Sequence, residues 1–229
     1  MIKKVLLLSR EIAENESVSE YVKSLAVFLA GKGIEVHIVC FSSSPEEAKL
    51  GEGIHVHKVP LIIHGDSLFN WSMLMNNELK RCSREIFEWK GFDIIHGNDW
   101  ITSTSAISLA KFTEKPLIVT IHSTEKERGF GTKHSSIISD MEWWLTYEAG
   151  CVLSNNERTY QSLRQDLQLP EEKIKLINPL QKGWQAEVLE IYENISGTKV
   201  ESREKVARPP SVENHLQSEI TPSNEQVKR

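Results

Sequence analysis

Apolar residues in the first 180 positions alternate between two patterns. Short runs rich in leucine and β-branched residues predict strands, and the longer segments between them repeat apolar residues at the three- to four-residue spacing of helices. Such alternation is typical of strands that lie parallel in one sheet and are joined by helices. The sequence therefore predicts an α/β fold with a doubly wound, mostly parallel sheet.

The predicted elements follow one another in a regular order. Strands are expected at Lys4–Ser9, Glu35–Cys40, Ile54–Pro60, Asp93–His96, Pro116–Ile121, Cys151–Ser154 and Ile174–Ile177. The first helix is expected to begin at Ser17, because Ser17 and Glu20 have capping-box spacing, and to stop at Gly31 and Gly33. Further helices are expected at Met75–Trp89, at Ile101–Phe112 and around Ile138, Met141, Leu145 and Ala149.

The pattern changes after Pro179. Within residues 180–196, Trp184, Val188 and Ile191 mark one amphipathic helix. Residues 197–229 contain three prolines among mixed charges and few large apolar side chains, so they bury too little surface to offset the entropy of ordering. We expect a domain over residues 1–179, a helix over 180–196 and a disordered tail over 197–229.

Composition and charge narrow the classes of partner. Of the 229 residues, 39% are hydrophobic and 26% are charged, which fits neither a membrane protein nor a wholly disordered chain. The net charge of -5 argues against nucleic acid as a partner. The cysteines Cys40, Cys82 and Cys151 lack paired spacing, and no signal-peptide core follows the start, so we expect a cytoplasmic protein with no membrane partner.

Several chemistries are excluded by missing motifs. The sequence has no phosphate-binding GxxxxGK[ST] loop, no nucleophile elbow and no CxxC pair. The turn after the first strand, residues 10–16, has no glycine to let a dinucleotide pyrophosphate approach, so no cofactor is expected. His55 and His57 share one face of the third strand, but no third ligand has useful spacing and no metal is predicted; His37 and His64 show no sign of a partner.

The most informative cluster follows the fourth and fifth predicted strands. Open α/β sheets bind ligands at the carboxyl ends of their strands, and this rule brings His96, Asp99 and His122 near one crevice. Two other interpretations stay open at this point. Asp99 has the position of an N-cap for the following helix, and His122 could be satisfied by a backbone carbonyl.

Four segments together resemble the amino-terminal, acceptor-side domain of glycogen and starch synthases. They are Val5–Glu11, Ile94–Trp100, Val119–Glu125 and Leu145–Ala149, which include the elements HGNDW and TIHSTE. Those enzymes are retaining glycosyltransferases of the GT-B architecture, with two facing Rossmann-like domains. The resemblance covers about Met1 to Asn178 and implies a single Rossmann-like sheet here.

The resemblance also implies a reaction and a site. The family transfers glucose or a related sugar from a nucleotide-sugar donor to a glucan, and its matching residues line the cleft near the transferred sugar. We therefore assign catalytic positions to Asp99 and His122, with substrate contacts from neighbouring residues of the two motifs: His96, Asn98, Trp100, Ser123, Thr124 and Glu125. Asn98 stands where the family usually has a second histidine.

Two departures from the family modify the expected function. The first loop is acidic and lacks the glycine pair that approaches the donor phosphates, and the 50 residues after Pro179 are too few for a second Rossmann-like domain. We expect a truncated, acceptor-side chain without its donor domain. Trp184–Ile195 resembles the family's last helix, which packs back on the amino-terminal domain, although an ordinary terminal helix would have the same pattern.

Two functions follow as expectations. In the first, the chain binds a glucan or other sugar acceptor and is inactive alone or needs a separate donor-binding subunit. In the alternative, it is a non-catalytic interaction module that uses the face left by the missing domain to bind a protein or a second copy of itself.

Overall fold

Seven parallel strands form one sheet in this computed structural model, which describes residues 1–42, 50–60 and 66–197. The spatial order is β3-β2-β1-β4-β5-β6-β7, and every neighbouring pair is parallel. The strands are β1 Lys4–Glu11, β2 Glu35–Ser42, β3 Ile54–Pro60, β4 Ile94–Asn98, β5 Leu117–Ile121, β6 Cys151–Ser154 and β7 Ile174–Leu176. The predicted α/β, doubly wound fold is confirmed. The tail predicted for residues 197–229 lies, beyond Gly197, outside the described residues.

Helices cover both faces of this sheet. They are α1 Ser17–Gly31, α2 Leu68–Lys90, α3 Ser103–Thr113, α4 Ser135–Glu148, α5 Glu157–Gln165 and α6 Trp184–Gly197, with single 3-10 turns at Trp100–Thr102 and Glu171–Lys173. Apolar side chains of α2, α3, α4 and α5 pack on one face, and those of α1 and α6 pack on the other. Across the described ranges, no helix is both long and apolar enough to cross a membrane.

The central strands are apolar because both of their faces are covered. In β1, Leu6 and Leu8 belong to the core beneath α2 and α3, whereas Val5 and Leu7 belong to the core beneath α1 and α6. All four side chains are fully buried. A parallel strand covered on both faces has a continuous rather than an alternating apolar run, which is the pattern that predicted it.

The observed helices differ from the prediction in three respects. Helix α1 begins at Ser17 as expected, but the carboxylate of Glu16 caps it by accepting the Ser19 N–H at 2.6 Å, because Glu16 is extended and Ser17 is already helical. Helix α2 begins at Leu68, earlier than predicted, with Ser67 as its cap. Helix α5 was not predicted, since its mainly polar sequence gives a weak apolar signal.

Helix α6 packs tightly on the α1 face of the sheet. Trp184, Val188 and Tyr192 are its buried side chains. The Trp184 ring stacks on Tyr21 of α1 with centroids 4.6 Å apart, and the Tyr192 hydroxyl contacts Nδ1 of His96 in β4 at 2.5 Å. The last described helix is therefore joined to the centre of the sheet by apolar packing and by one buried hydrogen bond.

The Tyr192 hydroxyl gives a test of this attachment. Tyr192→Phe is expected to lower the free energy of unfolding by about 1–3 kcal/mol, because the ring still packs while Nδ1 of buried His96 loses its partner. Urea denaturation followed by circular dichroism measures the change. Tyr160→Phe is the matched control, since within the described ranges that hydroxyl bonds only the exposed Glu171, and its effect is expected to stay within about 0.5 kcal/mol. Equal stability of the two variants would contradict the prediction.

Candidate functional site

The candidate site lies where the strand order reverses. The chain passes from β1 outward to β2 and β3, and then returns to place β4 on the other side of β1. Doubly wound sheets bind their ligands at this point, beyond the carboxyl ends of the strands. Here the loops that follow β1, β4, β5 and β6 lie at this edge of the sheet, and the region between them is called the crevice below.

Asp99 joins two of these loops. Its Oδ1 accepts the backbone N–H of His122 at 2.8 Å, and its own N–H donates to the Thr120 carbonyl at 2.9 Å. The backbone of Asp99 is left-handed, with φ 56°, a conformation that costs on the order of 1–3 kcal/mol in a non-glycine residue and that often marks functional sites. Asp99 does occupy the N-cap position of the 3-10 turn Trp100–Thr102, but its side chain makes no capping bond there, because Oδ1 bonds His122 instead.

Gly97 explains how Asp99 reaches this position. A Cβ at Gly97 would lie 3.0 Å from Thr102 Oγ1, closer than ordinary packing, and would touch Ala106 Cβ at 3.4 Å. The missing side chain lets the 3-10 turn and α3 lie directly against β4. Thr102 Oγ1 then donates to the carbonyls of Asn98 and Asp99, which fixes the turn that directs Asp99 toward β5.

Both ring nitrogens of His122 are bonded inside the protein. Asn98 donates its Nδ2 to the Leu8 carbonyl, so its Oδ1 faces His122 Nε2 at 3.2 Å and accepts from it. His122 Nδ1 then accepts from Asn155 Nδ2 at 2.7 Å. Burial lowers the pKa of His122, while the charges of Asp99 and Glu16 oppose that shift. The surroundings therefore hold His122 as a neutral ring with Nε2 protonated.

Asn155 was missed by the sequence analysis. It directly follows β6, and its Oδ1 is buried without a hydrogen-bond partner in the described parts of the chain. An unpaired buried carbonyl oxygen is costly, so Asn155 is an unusual polar position next to His122. The carboxyl-end rule that selected residues after β4 and β5 would have found it had it been extended to β6.

His96 lies beneath the crevice rather than in it. It is fully buried, with Nε2 2.7 Å from Thr120 Oγ1 and Nδ1 bonded to Tyr192. Thr120 Oγ1 also contacts the hydroxyl of Tyr21, whose ring packs edge-on against His122 with centroids 5.1 Å apart. The predicted substrate contact of His96 is corrected, because this side chain belongs to the polar network that supports His122.

Most of the other predicted substrate-binding residues are also internal. Asn98 is buried and orients His122, and Trp100 is buried beside Ile138 and Met141. Thr124 bonds Ser162, and Glu125 bonds Ser135 and pairs with Arg128. Ser123 is half-buried and bonded by Arg128. Asp99 and His122 are half-buried and lie at the crevice. The predicted substrate contacts of Trp100, Thr124 and Glu125 are corrected, because these side chains are buried and pack or hold the loop together.

The loop after β1 carries an anion of its own. The Glu16 carboxylate occupies the amino end of α1, and Ser19 Oγ ties the loop by accepting from Ala13 N and donating to Glu11 O. Helix amino ends attract anions through their free N–H groups and dipole. Because Glu16 already uses this position, a diphosphate approaching it would meet negative charge.

A comparison with protein families decides the identity of this domain. Residues 18–179 match the model of Glycosyltransferase Family 4, which is well over half of the chain. The chain belongs to glycosyltransferase family 4. For this family 4 member, the predicted resemblance to the amino-terminal domain of GT-B glycosyltransferases is confirmed.

Curated relatives agree with this assignment. The family 4 domain is 29% identical over 168 residues to an uncharacterized glycosyltransferase of Methanocaldococcus jannaschii, covering 72% of this chain and 43% of that protein. It is 25% identical over 154 residues to a glycogen synthase of Mycobacterium tuberculosis, covering 58% of this chain and 37% of the relative. The chain thus spans less than half the length of these relatives.

Solved structures show the same fold. A sucrose-phosphate synthase from Thermosynechococcus elongatus superimposes with a TM-score of 0.66 at 15% identity, covering 77% of this chain and 48% of the other. Anabaena HepE in complex with UDP and glucose gives a TM-score of 0.52 at 12% identity, covering 77% and 44%. At these identities the likeness concerns the fold.

The buried state of His96 predicts a pH dependence of stability. Burial lowers the pKa of His96 to about 3, whereas an unfolded histidine titrates near 6.5, so the unfolded chain binds more protons between these values. Stability from His96 is therefore complete above pH 6.5 and is lost as the pH falls toward 3. Between pH 7.5 and 5.5 this group accounts for about 1.4 kcal/mol.

Urea denaturation at pH 7.5 and at pH 5.5 tests this dependence. When the pH is lowered over this interval, the free energy of unfolding of His96→Gln is expected to fall by about 1.4 kcal/mol less than that of the unchanged protein. His134→Asn, which removes a histidine outside the network, serves as the control for loss of a histidine. An unchanged pH dependence in His96→Gln would contradict the assignment.

Proposed function

We propose that this domain is the acceptor-side half of a family 4 glycosyltransferase and that the crevice around Asp99 and His122 binds a glucan or related oligosaccharide. The contact between the Asp99 carboxylate and the His122 N–H carries this proposal, because it holds a strained backbone at the strand-order reversal. Strain of this kind persists only where the surrounding structure maintains it, and it is concentrated at functional sites.

Hydrogen-bond acceptors in the crevice suit a sugar. Oδ1 of Asp99 is used by His122, while its other carboxylate oxygen has no hydrogen bond within the described residues. Oδ1 of Asn155 has none either. Sugar hydroxyls donate to carboxylate oxygens, so the second oxygen of Asp99 can fix the orientation of a bound ring, whereas Oδ1 of Asn155 is buried. Asp99 would contact the sugar directly, and His122 would position Asp99 and its loop.

The same crevice is poorly suited to a nucleotide diphosphate. The charged groups that act on His122 are both acidic: they are Asp99 and Glu16. The carboxylate of Glu16 also occupies the amino end of α1. Sugar transfer from a nucleotide sugar builds negative charge on the leaving diphosphate, which requires cationic or N–H groups aimed at it. We therefore infer that a second, donor-binding domain must be supplied for transfer and that the domain alone binds only the acceptor.

We also propose that the protein works in a reducing compartment, because its cysteines are unpaired. Cys40, Cys82 and Cys151 are all free thiols. Burial raises the pKa of Cys40 to about 12 and that of Cys151 to about 11, so both stay protonated and unreactive at neutral pH. This cysteine usage is typical of cytoplasmic proteins.

Calorimetric titration of the purified chain with maltooligosaccharides tests the acceptor site. Saturable binding is expected, and Asp99→Asn is expected to weaken it at least tenfold, because a hydrogen bond to a charged group contributes about 1.5–3 kcal/mol. Asparagine tolerates the left-handed backbone that Asp99 adopts, so the fold should be retained. Asp140→Asn, a change of the same chemistry on α4, is the control and should bind normally.

Titration with ADP-glucose and UDP-glucose completes the experiment. No binding of either nucleotide sugar is expected. Tight binding of one of them would contradict the inferred need for a second domain. Lack of binding to every oligosaccharide, together with self-association of the chain, would overturn the proposal in favour of the interaction module.

A further inference from the structure

A second polar cluster lies at the amino ends of β2 and β3, opposite the crevice. Glu35 and His37 alternate on β2, and His55 on β3 is the register partner of His37. One carboxylate oxygen and one ring nitrogen from each histidine lie within 4.8 Å of one another. The sequence pattern pairs His55 only with His57 and indicates no partner for His37; both expectations are corrected, because the register of β2 and β3 places His37 beside His55.

The three side chains converge on one atom. Nε2 of His37 and Nε2 of His55 each lie 3.2 Å from Oε1 of Glu35. The two imidazole rings stack with centroids 4.9 Å apart. The His37 side chain is only 1% exposed, whereas His55 is 44% exposed, so the cluster is rooted in the core and opens to solvent on one side.

His37 has the bonding pattern of a metal ligand. Its Nδ1 lies 2.9 Å from Nε2 of His57, while its own buried Nε2 has no hydrogen-bond partner in the described structure, because the approach to Glu35 lacks hydrogen-bond geometry. Histidines that bind metals donate one ring N–H to a neighbouring acceptor and direct the other nitrogen at the ion. An orphaned buried nitrogen beside a carboxylate and a second imidazole fits this arrangement.

We propose that Glu35, His37 and His55 bind a divalent transition-metal ion, with Zn²⁺ as the preferred candidate, and that His57 orients His37 from outside the coordination sphere. Two imidazoles and one carboxylate suit Zn²⁺, which also binds with three protein ligands and a water. Mg²⁺ and Ca²⁺ prefer oxygen ligands and are disfavoured here.

Two lysines would compete with the ion for the carboxylate of Glu35. Nζ of Lys90 lies 3.1 Å from Oε1 of Glu35, and Nζ of Lys4 lies 3.4 Å from Oε2. Although burial opposes it, the hydrogen bond from Lys90 and the charges of Lys4 and Lys90 lower the pKa of Glu35 to about 2. The carboxylate is therefore ionised, and Lys90 occupies the oxygen that faces the histidines.

The location assigns the ion a structural role. β3 is the edge strand of the sheet, and the proposed ligands come from β2 and β3. An ion bound there would join the edge strand to its neighbour independently of the hydrogen bonds of the ladder. Because the unfolded chain does not hold these ligands together, binding would raise the melting temperature.

Zn²⁺ alone, added to chelator-treated full-length chain, tests the site. Calorimetry is expected to give one equivalent bound, and Co²⁺ should give the absorption bands of a coordinated ion. His55→Ala is expected to weaken Zn²⁺ binding at least tenfold and to abolish the rise in melting temperature. Because the His55 side chain is 44% exposed, the variant is expected to keep its fold, which circular dichroism checks. His134→Ala, another single histidine loss, is the control and should bind like the unchanged chain.

Two further variants separate a metal site from a hydrogen-bonded cluster. Lys90→Met is expected to tighten Zn²⁺ binding severalfold, because the competing ammonium is removed from Oε1. His57→Phe is expected to weaken it about tenfold through loss of the outer partner. Absence of Zn²⁺ binding by the unchanged chain, or binding unaltered by His55→Ala, would show that the histidines only contact Glu35 and would overturn the proposal. Equal or weaker binding by Lys90→Met would contradict Glu35 as a ligand.

Discussion

Four side chains form a continuous run of hydrogen bonds between the sheet and its α1–α6 layer. Tyr192 contacts His96, His96 contacts Thr120, and Thr120 contacts Tyr21. In an apolar layer each of these groups must find a partner, so the run fixes the positions of α1, α6, β4 and β5 relative to one another. Because the Tyr21 ring packs against His122, the geometry of the crevice depends on this buried network.

The two ends of the sheet carry different polar chemistry. At the carboxyl ends, neutral His122 lies near the acidic side chains of Asp99 and Glu16. At the amino ends of β2 and β3, two imidazoles face a carboxylate. Related glycosyltransferases share the sheet, so the differences between them must be sought in such local groups rather than in the fold.

Strands and layers could be predicted because burial on both faces leaves a continuous apolar run, as in Val5–Leu8. Asp99 and His122 could be placed together because parallel strands end at the same edge. The burial of His96 could not be predicted, since it depends on Tyr192, 96 residues further along the chain. The contact of His37 with His55 depends on the register of two strands, and a slip of one residue would separate them.

The attachment of α6 also has a consequence for synthesis. The ribosome makes β1, α1 and β4 long before Trp184 and Tyr192 emerge, so the apolar surface under α6 stays open and Nδ1 of His96 lacks its Tyr192 partner until α6 has been made. A nascent chain that stops before Trp184 would expose this surface to chaperones and proteases. The packing of the α1–α6 layer is therefore completed only after α6 has been made.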